Sequence, residues 1–421
     1  MKVLHTAGRG AAAVEAALAA LTDRQKAGYE RVLPQARRIV QAVRRGGDAA
    51  LLRFRAKFDG IPSQSPLRIS ESEMRAAWEA TPAPLRQALT TAAKNIRAFA
   101  ERQRPKDFDL HPAPGVTTGQ RVVPLNAVGC YVPGGRYPLP STLLMTVIPA
   151  QVAGVERIAV VSPRPAQETL AAAAMLGVTE FYHVGGAHAI AALAYGSASI
   201  PRVDKIAGPG NAWVTAAKKL VAFDCGIDLL AGPTEIVVAS ETGDPASIAA
   251  DLVAQAEHDP ETLAVFITTR ADLARAVVAE TKARTRGNAV ASEALSTRGL
   301  AIVAKSQDEA RGLTNRIAPE HLSVDSAADL AWVRNAGSVF IGRWSAQPLG
   351  DYISGPNHTL PTSGLARVRG GLSVLDFVKL VTVQEYSKAG VQQLGPAAIR
   401  LANAEGLVGH AEAIRARGVH E

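Results

Sequence analysis

One unit recurs along the middle of the chain and constrains its fold most: an apolar strand-like run, a glycine turn, then a helix-like segment. Val122 to Val132 runs into Pro133-Gly134-Gly135, Glu180 to Val184 into Gly185-Gly186, and Lys205-Ile206-Ala207 into Gly208-Pro209-Gly210-Asn211. Between them, Ser141 to Gly154 and Ala166 to Leu176 read as helices and Arg157 to Ser162 as a further strand. This order builds parallel sheets, because parallel neighbours need a crossover long enough to hold a helix. The alternation resumes after residue 230, with strands read at Thr234 to Ala239, Leu263 to Thr268, Leu300 to Ala304 and Ser338 to Gly342. A second sheet is the economical reading.

The expected fold class is α/β, with two Rossmann-like parallel-sheet domains and helical segments at both ends. The standard dinucleotide fingerprint is lacking, since no Gly-x-Gly-x-x-Gly follows the first strand. Ligands in such sheets bind at the carboxyl ends of the strands, where these glycine turns lie. Residues 1–125 are expected to form a helical region that packs partly on the second sheet domain. The first sheet domain spans 126–230 and the second 231–375. From Val378 the pattern returns to helix, so 376–421 is expected as a helical tail that packs away from the main body, on a second subunit.

Composition narrows the function class. The chain has 421 residues, 47% of them hydrophobic and 20% charged, as in an ordinary globular enzyme. Its 46 basic and 38 acidic residues are scattered. No dense basic run with interleaved aromatics points to nucleic acid. The longest apolar stretch, Leu143 to Val155, is too short to span a bilayer. Two distant cysteines, Cys130 and Cys225, follow no metal or redox spacing and suit a reducing compartment. The Ala-rich start is broken by Glu15 and followed by Asp23, Arg24 and Lys26, unlike a secretory signal. A cytoplasmic protein is expected.

Chemistry concentrates in a few polar segments. Ala318-Pro319-Glu320-His321-Leu322 sets a carboxylate beside an imidazole after a stiff proline. Two adjacent bases can take two different protons in one reaction cycle, and can face one pocket only from a bend or an element end. Gln255 and His258 lie three apart on a segment that reads as a helix, which puts both on one face. Those two donors can begin a metal site but not complete one. Asp351 is expected in a loop, His358 in a Gly-Pro-Asn-His turn and His410 on a helix of the tail.

These segments, in order, resemble the histidinol dehydrogenase family. The resemblance runs through Gly129-Cys130-Tyr131-Val132-Pro133-Gly134-Gly135, Gly208-Pro209-Gly210-Asn211, Ala231-Gly232-Pro233-Thr234-Glu235, Gln255-Ala256-Glu257-His258 and Ala318 to Leu322. It continues through Gly350-Asp351-Tyr352, Gly355-Pro356-Asn357-His358 with Leu360-Pro361-Thr362, and Glu405-Gly406-Leu407 before His410. Together they cover roughly residues 30 to 415.

The resemblance implies zinc-dependent oxidation of L-histidinol to L-histidine through L-histidinal with two NAD, the last step of histidine biosynthesis. By position it implies one Zn²⁺ per subunit on Gln255, His258, Asp351 and His410, with Glu320 and His321 as the catalytic pair. Thr234, His358 and Glu405 correspond to further substrate contacts, alongside His321 and the zinc ligands. Tyr131, His188 and Asn211 correspond to NAD contacts. A homodimer with shared active sites is implied, in which the tail carrying Glu405 and His410 completes the partner's site. Two positions depart from the family: His188 stands where Gln is usual, and Thr234 where Ser is commoner. A relative oxidising another small alcohol, such as a sulfonated diol, would share the zinc and base positions. A zinc hydrolase would turn over without NAD, and would leave the glycine turns unexplained.

Overall fold

Every residue of Ala127–Tyr131 is buried, and so is every residue of Leu263–Thr268. Strands covered on both faces belong to parallel sheets flanked by helices, and the computed structural model contains two of them. It describes residues 1–22, 28–134 and 137–420, so Gly135 of the first glycine turn lies outside the described residues.

Strands are numbered along the chain. The first sheet has the order β2 (Arg68–Ile69), β7 (Glu180–Tyr182), β6 (Arg157–Val161), β5 (Ala127–Tyr131), β8 (Lys205–Ala207), β9 (Gly226–Ile227). All its pairings are parallel except β2 with β7. Side-chain alternation divides its core. Ala127, Tyr131, Ala159 and Val161 pack under the helices Leu33–Phe54, Gly186–Tyr195 and Ala212–Val221, while Val128, Cys130 and Val160 face Pro140–Ala153 and Gln167–Met175. The helix Pro140–Ala153 is apolar all round because it is sandwiched, with Leu143 to Ala150 wholly buried.

The second sheet is parallel throughout: β1 (Lys2–His5), β12 (Leu300–Val303), β11 (Leu263–Thr268), β10 (Glu235–Ala239), β13 (His321–Val324), β14 (Ser338–Ile341). The sequence reading missed β1 and β13; β1 is mostly exposed and carries two charged or polar ends, and β13 opens on the polar His321 soon after a helix. Val14 and Leu18 of the helix Ala11–Thr22 join the core under β11 and β13. The first strand and helix thus serve the second sheet, whereas the helices between residues 33 and 103 pack on the first.

A third sheet corrects the reading of the tail. Val378–Tyr386, expected as helix, is strand β15, paired antiparallel with β4 (Val116–Pro124), which also pairs with β3 (Phe108–Ala113). The register runs from Val378 opposite Pro124 to Tyr386 opposite Val116. Val378, Val381, Thr382 and Val383 are β-branched and favour this pairing over a helix. Beyond it, the helices Lys388–Ala404 and Val408–Arg415 form a small core of their own around Ile399, Ala402, Ala411 and Val419.

At the carboxyl edge of the first sheet, Gly208 has φ +115°, and a Cβ there would lie 2.1 Å from the carbonyl oxygen of Tyr131. A buried ion pair, Lys218 with Asp228, holds this turn. Asp228 accepts the Gly208 N–H at 2.8 Å, and Lys218 Nζ donates to the Gly208 carbonyl at 3.0 Å. Removing one partner of a buried pair strands the other's charge. Lys218→Met should therefore lower stability by about 3–5 kcal/mol, read as a shift in the urea midpoint; an unshifted midpoint would show that water or another cation compensates Asp228.

Candidate active site

The helix Gln307–Ile317 ends at Ala318, a buried residue in the left-handed region (φ +52°) whose N–H still reaches Thr314 O at 3.1 Å. That reversal, followed by Pro319, delivers Glu320 and His321 to the start of β13. The adjacent bases therefore sit at an element end, as their spacing required. Both are buried, at 6% and 3% exposure. The carbonyls of Pro319 and Glu320 accept from Gly337 and Ser338, which fixes the backbone beneath them.

Glu320 and His321 both engage the start of β10. Glu320 Oε2 accepts from the Thr234 hydroxyl at 2.5 Å and from the Glu235 N–H at 2.8 Å. His321 Nδ1 lies 3.0 Å from the Glu235 carbonyl oxygen, an acceptor only, so Nδ1 carries the hydrogen and Nε2 is the working nitrogen. Nε2 lies 3.3 Å from Asp351 Oδ1. Burial opposes charge on this imidazole, but Glu320 and Asp351 outweigh it and hold its pKa up to about 10. Burial likewise works against ionised Asp351, and the bond from His321 outweighs it, so that carboxyl titrates below its ordinary range.

The chain of donors continues outward. Because Thr234 gives its hydrogen to Glu320, it accepts from the carboxamide NH₂ of Gln255. This orients the amide and leaves Gln255 Oε1 buried with no hydrogen-bond partner. His258 stands just outside: its helix, Pro245–Ala256, stops two residues short, so the expected shared helical face does not exist. Instead a turn bonds the His258 N–H to Gln255 O at 3.3 Å, and the exposed His258 lines the same cleft as Thr234.

Asp351, expected in a loop, is on a short helix, Gln347–Tyr352, entered through Pro348. His358 donates from Nδ1 to the Asp351 carbonyl at 2.8 Å, and its Nε2 lies 3.3 Å from the Thr142 hydroxyl. Burial lowers its pKa, which suits a neutral ring. Glu405, in the turn between the two tail helices, and His410, on the second of them, are exposed, so the single chain does not bring them to this network.

A cleft of about 520 Å³ separates the carboxyl edge of the first sheet from the amino edge of the second, lined by Pro133, Asn211, Thr234, His258 and Ser363 among others. Asn211 caps the helix Ala212–Val221, accepting from the N–H groups of Trp213 and Val214. Tyr131 and His188 lie behind the Gly185-Gly186 turn. The Tyr131 hydroxyl accepts the Gly186 N–H at 3.1 Å. His188, 1% exposed, donates from Nε2 to Asp59 Oδ2 at 3.0 Å, and the same oxygen takes the Gly185 N–H at 3.0 Å. These turn amides are committed inside the protein and are not open to a phosphate. Asp59 and Gln347 were not singled out from the sequence. Each is one polar residue in a helical context, and only folding shows its partner.

The model of the family described as histidinol dehydrogenase matches residues 22–418. A histidinol dehydrogenase of Synechococcus sp. is 46% identical over 396 residues, covering 90% of this chain and 91% of its own length. That of Methanothermobacter thermautotrophicus is 45% identical over 411 residues, covering 94% and 96%. The crystal structure of histidinol dehydrogenase from Elizabethkingia anophelis superposes with a TM-score of 0.92 at 32% identity, covering 99% of this chain and 98% of that one. With matches spanning nearly the full length in both directions, the chain belongs to the histidinol dehydrogenase family.

Proposed function

We propose that this protein oxidises L-histidinol through L-histidinal to L-histidine, the last step of histidine biosynthesis, with two NAD consumed per substrate. The observation that carries the reading is the buried pair Glu320–His321, two bases presented side by side with separate hydrogen-bond partners. Other small alcohols are the less favoured substrates, since the relatives matched above are histidinol dehydrogenases.

The residues divide the work by position. His321 works through Nε2, because Nδ1 is committed to Glu235 O. The Nε2 proton that faces Asp351 must leave first, which zinc on Asp351 would favour, and Nε2 then takes the alcohol proton. It returns that proton to the aldehyde oxygen as water adds, and is free to take another from the hydrate. Both donors to Glu320 land on Oε2, so Oε1 is the oxygen that takes the proton from water. NAD in the cleft beside Asn211 supplies the hydride acceptor for each oxidation.

The donor set fits zinc. Gln255 offers a buried carbonyl oxygen without a partner and Asp351 a carboxylate held ionised; His258 is on the cleft wall. Among the described residues no three His, Cys, Asp or Glu side chains cluster to hold a metal, in keeping with a site whose fourth ligand, His410, comes from elsewhere. Bound there, zinc would orient the substrate by its imidazole and amino nitrogens. Thr234 and His358 would line the substrate's place. We assign Glu405 and His410 to the partner's site in a homodimer. Within one chain, their helices form a separate core and leave both side chains exposed. Free, buried Cys130 and Cys225 accord with a cytoplasmic setting.

Purified protein should form two NADH per L-histidinol, lose this on chelation and regain it with zinc; turnover of another alcohol in preference would replace the substrate. Glu320→Gln should slow oxidation of L-histidinal by about 10²-fold or more while the alcohol step changes by less than about tenfold. Equal losses in both half-reactions would end the division of labour. A heterodimer of one Glu320→Ala and one His410→Ala subunit, isolated through two tags, has one intact site if sites are shared. It should keep about half of wild-type activity, and an inactive heterodimer would place each site within one chain.

A further inference from the structure

Asp351 has two carboxylate oxygens, and the structure gives each a different neighbour. Oδ1 faces His321 Nε2 at 3.3 Å, whereas Oδ2 accepts from Gln347 Nε2 at 2.6 Å. Gln347 lies four residues before Asp351 on the same helix, hence on the same face, and is wholly buried. Its own carbonyl, Oε1, is buried without a hydrogen-bond partner. A buried glutamine that leaves its acceptor unpaired is a poor choice for packing alone, where an apolar side chain of the same shape would cost less. Its single bond to Asp351 is what the position requires of it.

The surroundings hold the same helix in place. A Cβ on Gly350 would lie 2.6 Å from the Phe340 ring, and that ring stacks on His321 with centroids 6.0 Å apart. Asp251, one turn before Gln255 on its own helix, sits beside the backbone N–H of Gln347. The helices presenting Gln255 and Asp351 therefore meet at Gln347.

We propose that Gln347 is a positioning residue for Asp351, holding Oδ2 so that Oδ1 alone is presented to His321 and to a cation. This rests on the reading of Asp351 as a zinc ligand. Outer partners that orient a ligating carboxylate change metal affinity when removed, by about 10–100-fold.

The test is a double-mutant cycle read as zinc affinity, by competition with a chromogenic chelator, on the full-length protein. Wild type, Gln347→Leu, Asp351→Asn and the double variant are compared. Asp351→Asn should weaken zinc binding, and Gln347→Leu should weaken it by about tenfold. In the Asp351→Asn background, the Gln347 substitution should add less than about twofold. If Asp351→Asn alone leaves affinity intact, the ligand reading fails and the proposal with it. If Asp351→Asn weakens binding but Gln347→Leu does not, the ligand reading stands and the positioning role is wrong. Full additivity in the double variant also overturns it, since Gln347 would then act other than through Asp351. Gln347→Met, closer in shape, takes the place of the leucine variant if that protein does not fold.

Discussion

The candidate active site depends on one carboxylate oxygen. Glu320 Oε2 receives a backbone N–H from the first residue of β10 and a hydroxyl from the residue before it. Those two bonds satisfy the buried oxygen. They also set the direction of everything beyond it. Thr234, having given its hydrogen to Glu320, must accept from Gln255; Gln255, oriented by that bond, turns its carbonyl away, where it has no partner. His321 is oriented by the same strand end through Glu235 O. A protonated or absent Glu320 would leave this sequence of donors without a terminus.

The same device, a carboxylate taking backbone N–H groups, recurs at the strand ends. Asp59 takes the N–H of Gly185, and Asp228 that of Gly208. At the carboxyl edge of the second sheet, Asp325 takes the N–H groups of Glu241 and Thr242, Glu241 takes that of Thr269, and Glu309 that of Lys305. Such amides are where a phosphate would be held in a nucleotide-binding sheet. The protein fills them with its own anions. The second sheet's carboxyl edge is closed in this way, and the candidate site lies at its amino edge instead, with Thr234, Glu320 and His321. The cleft thus meets the first sheet at its carboxyl edge, where ligands of such sheets are generally expected, and the second at its amino edge.

Much of this was legible from the chain because it rests on local patterning. Runs such as Leu263 to Thr268, apolar without alternation, are what a strand buried on both faces must look like, and glycine turns mark where such strands stop. The α/β class and the parallel sheets follow. The Glu320–His321 pair also announced its constraint, since adjacent side chains converge only at a break in regular structure. Less visible was β15: its nine residues pair along one neighbouring strand, β4, and that pairing is a property of two segments far apart in sequence. The short β13 escaped for a related reason, as it opens on the polar His321 and its place is set by pairing with β10 and β14.

By itself, then, the sequence determined the two sheets, the order of the polar segments and the chemical types available at the site. Those depend on side-chain identity, spacing and turn stereochemistry, which act over a few residues. Only the tertiary structure decided which groups meet: Asp59 with the Gly185 turn, Thr234 between Gln255 and Glu320. It also decided which end of each sheet faces the cleft, and it left Glu405 and His410 exposed, away from the network within one chain. The reason is physical. A hydrogen bond of about 3 Å between residues separated by about a hundred positions is set by how helices and sheets pack, and side-chain identity alone carries no such distance.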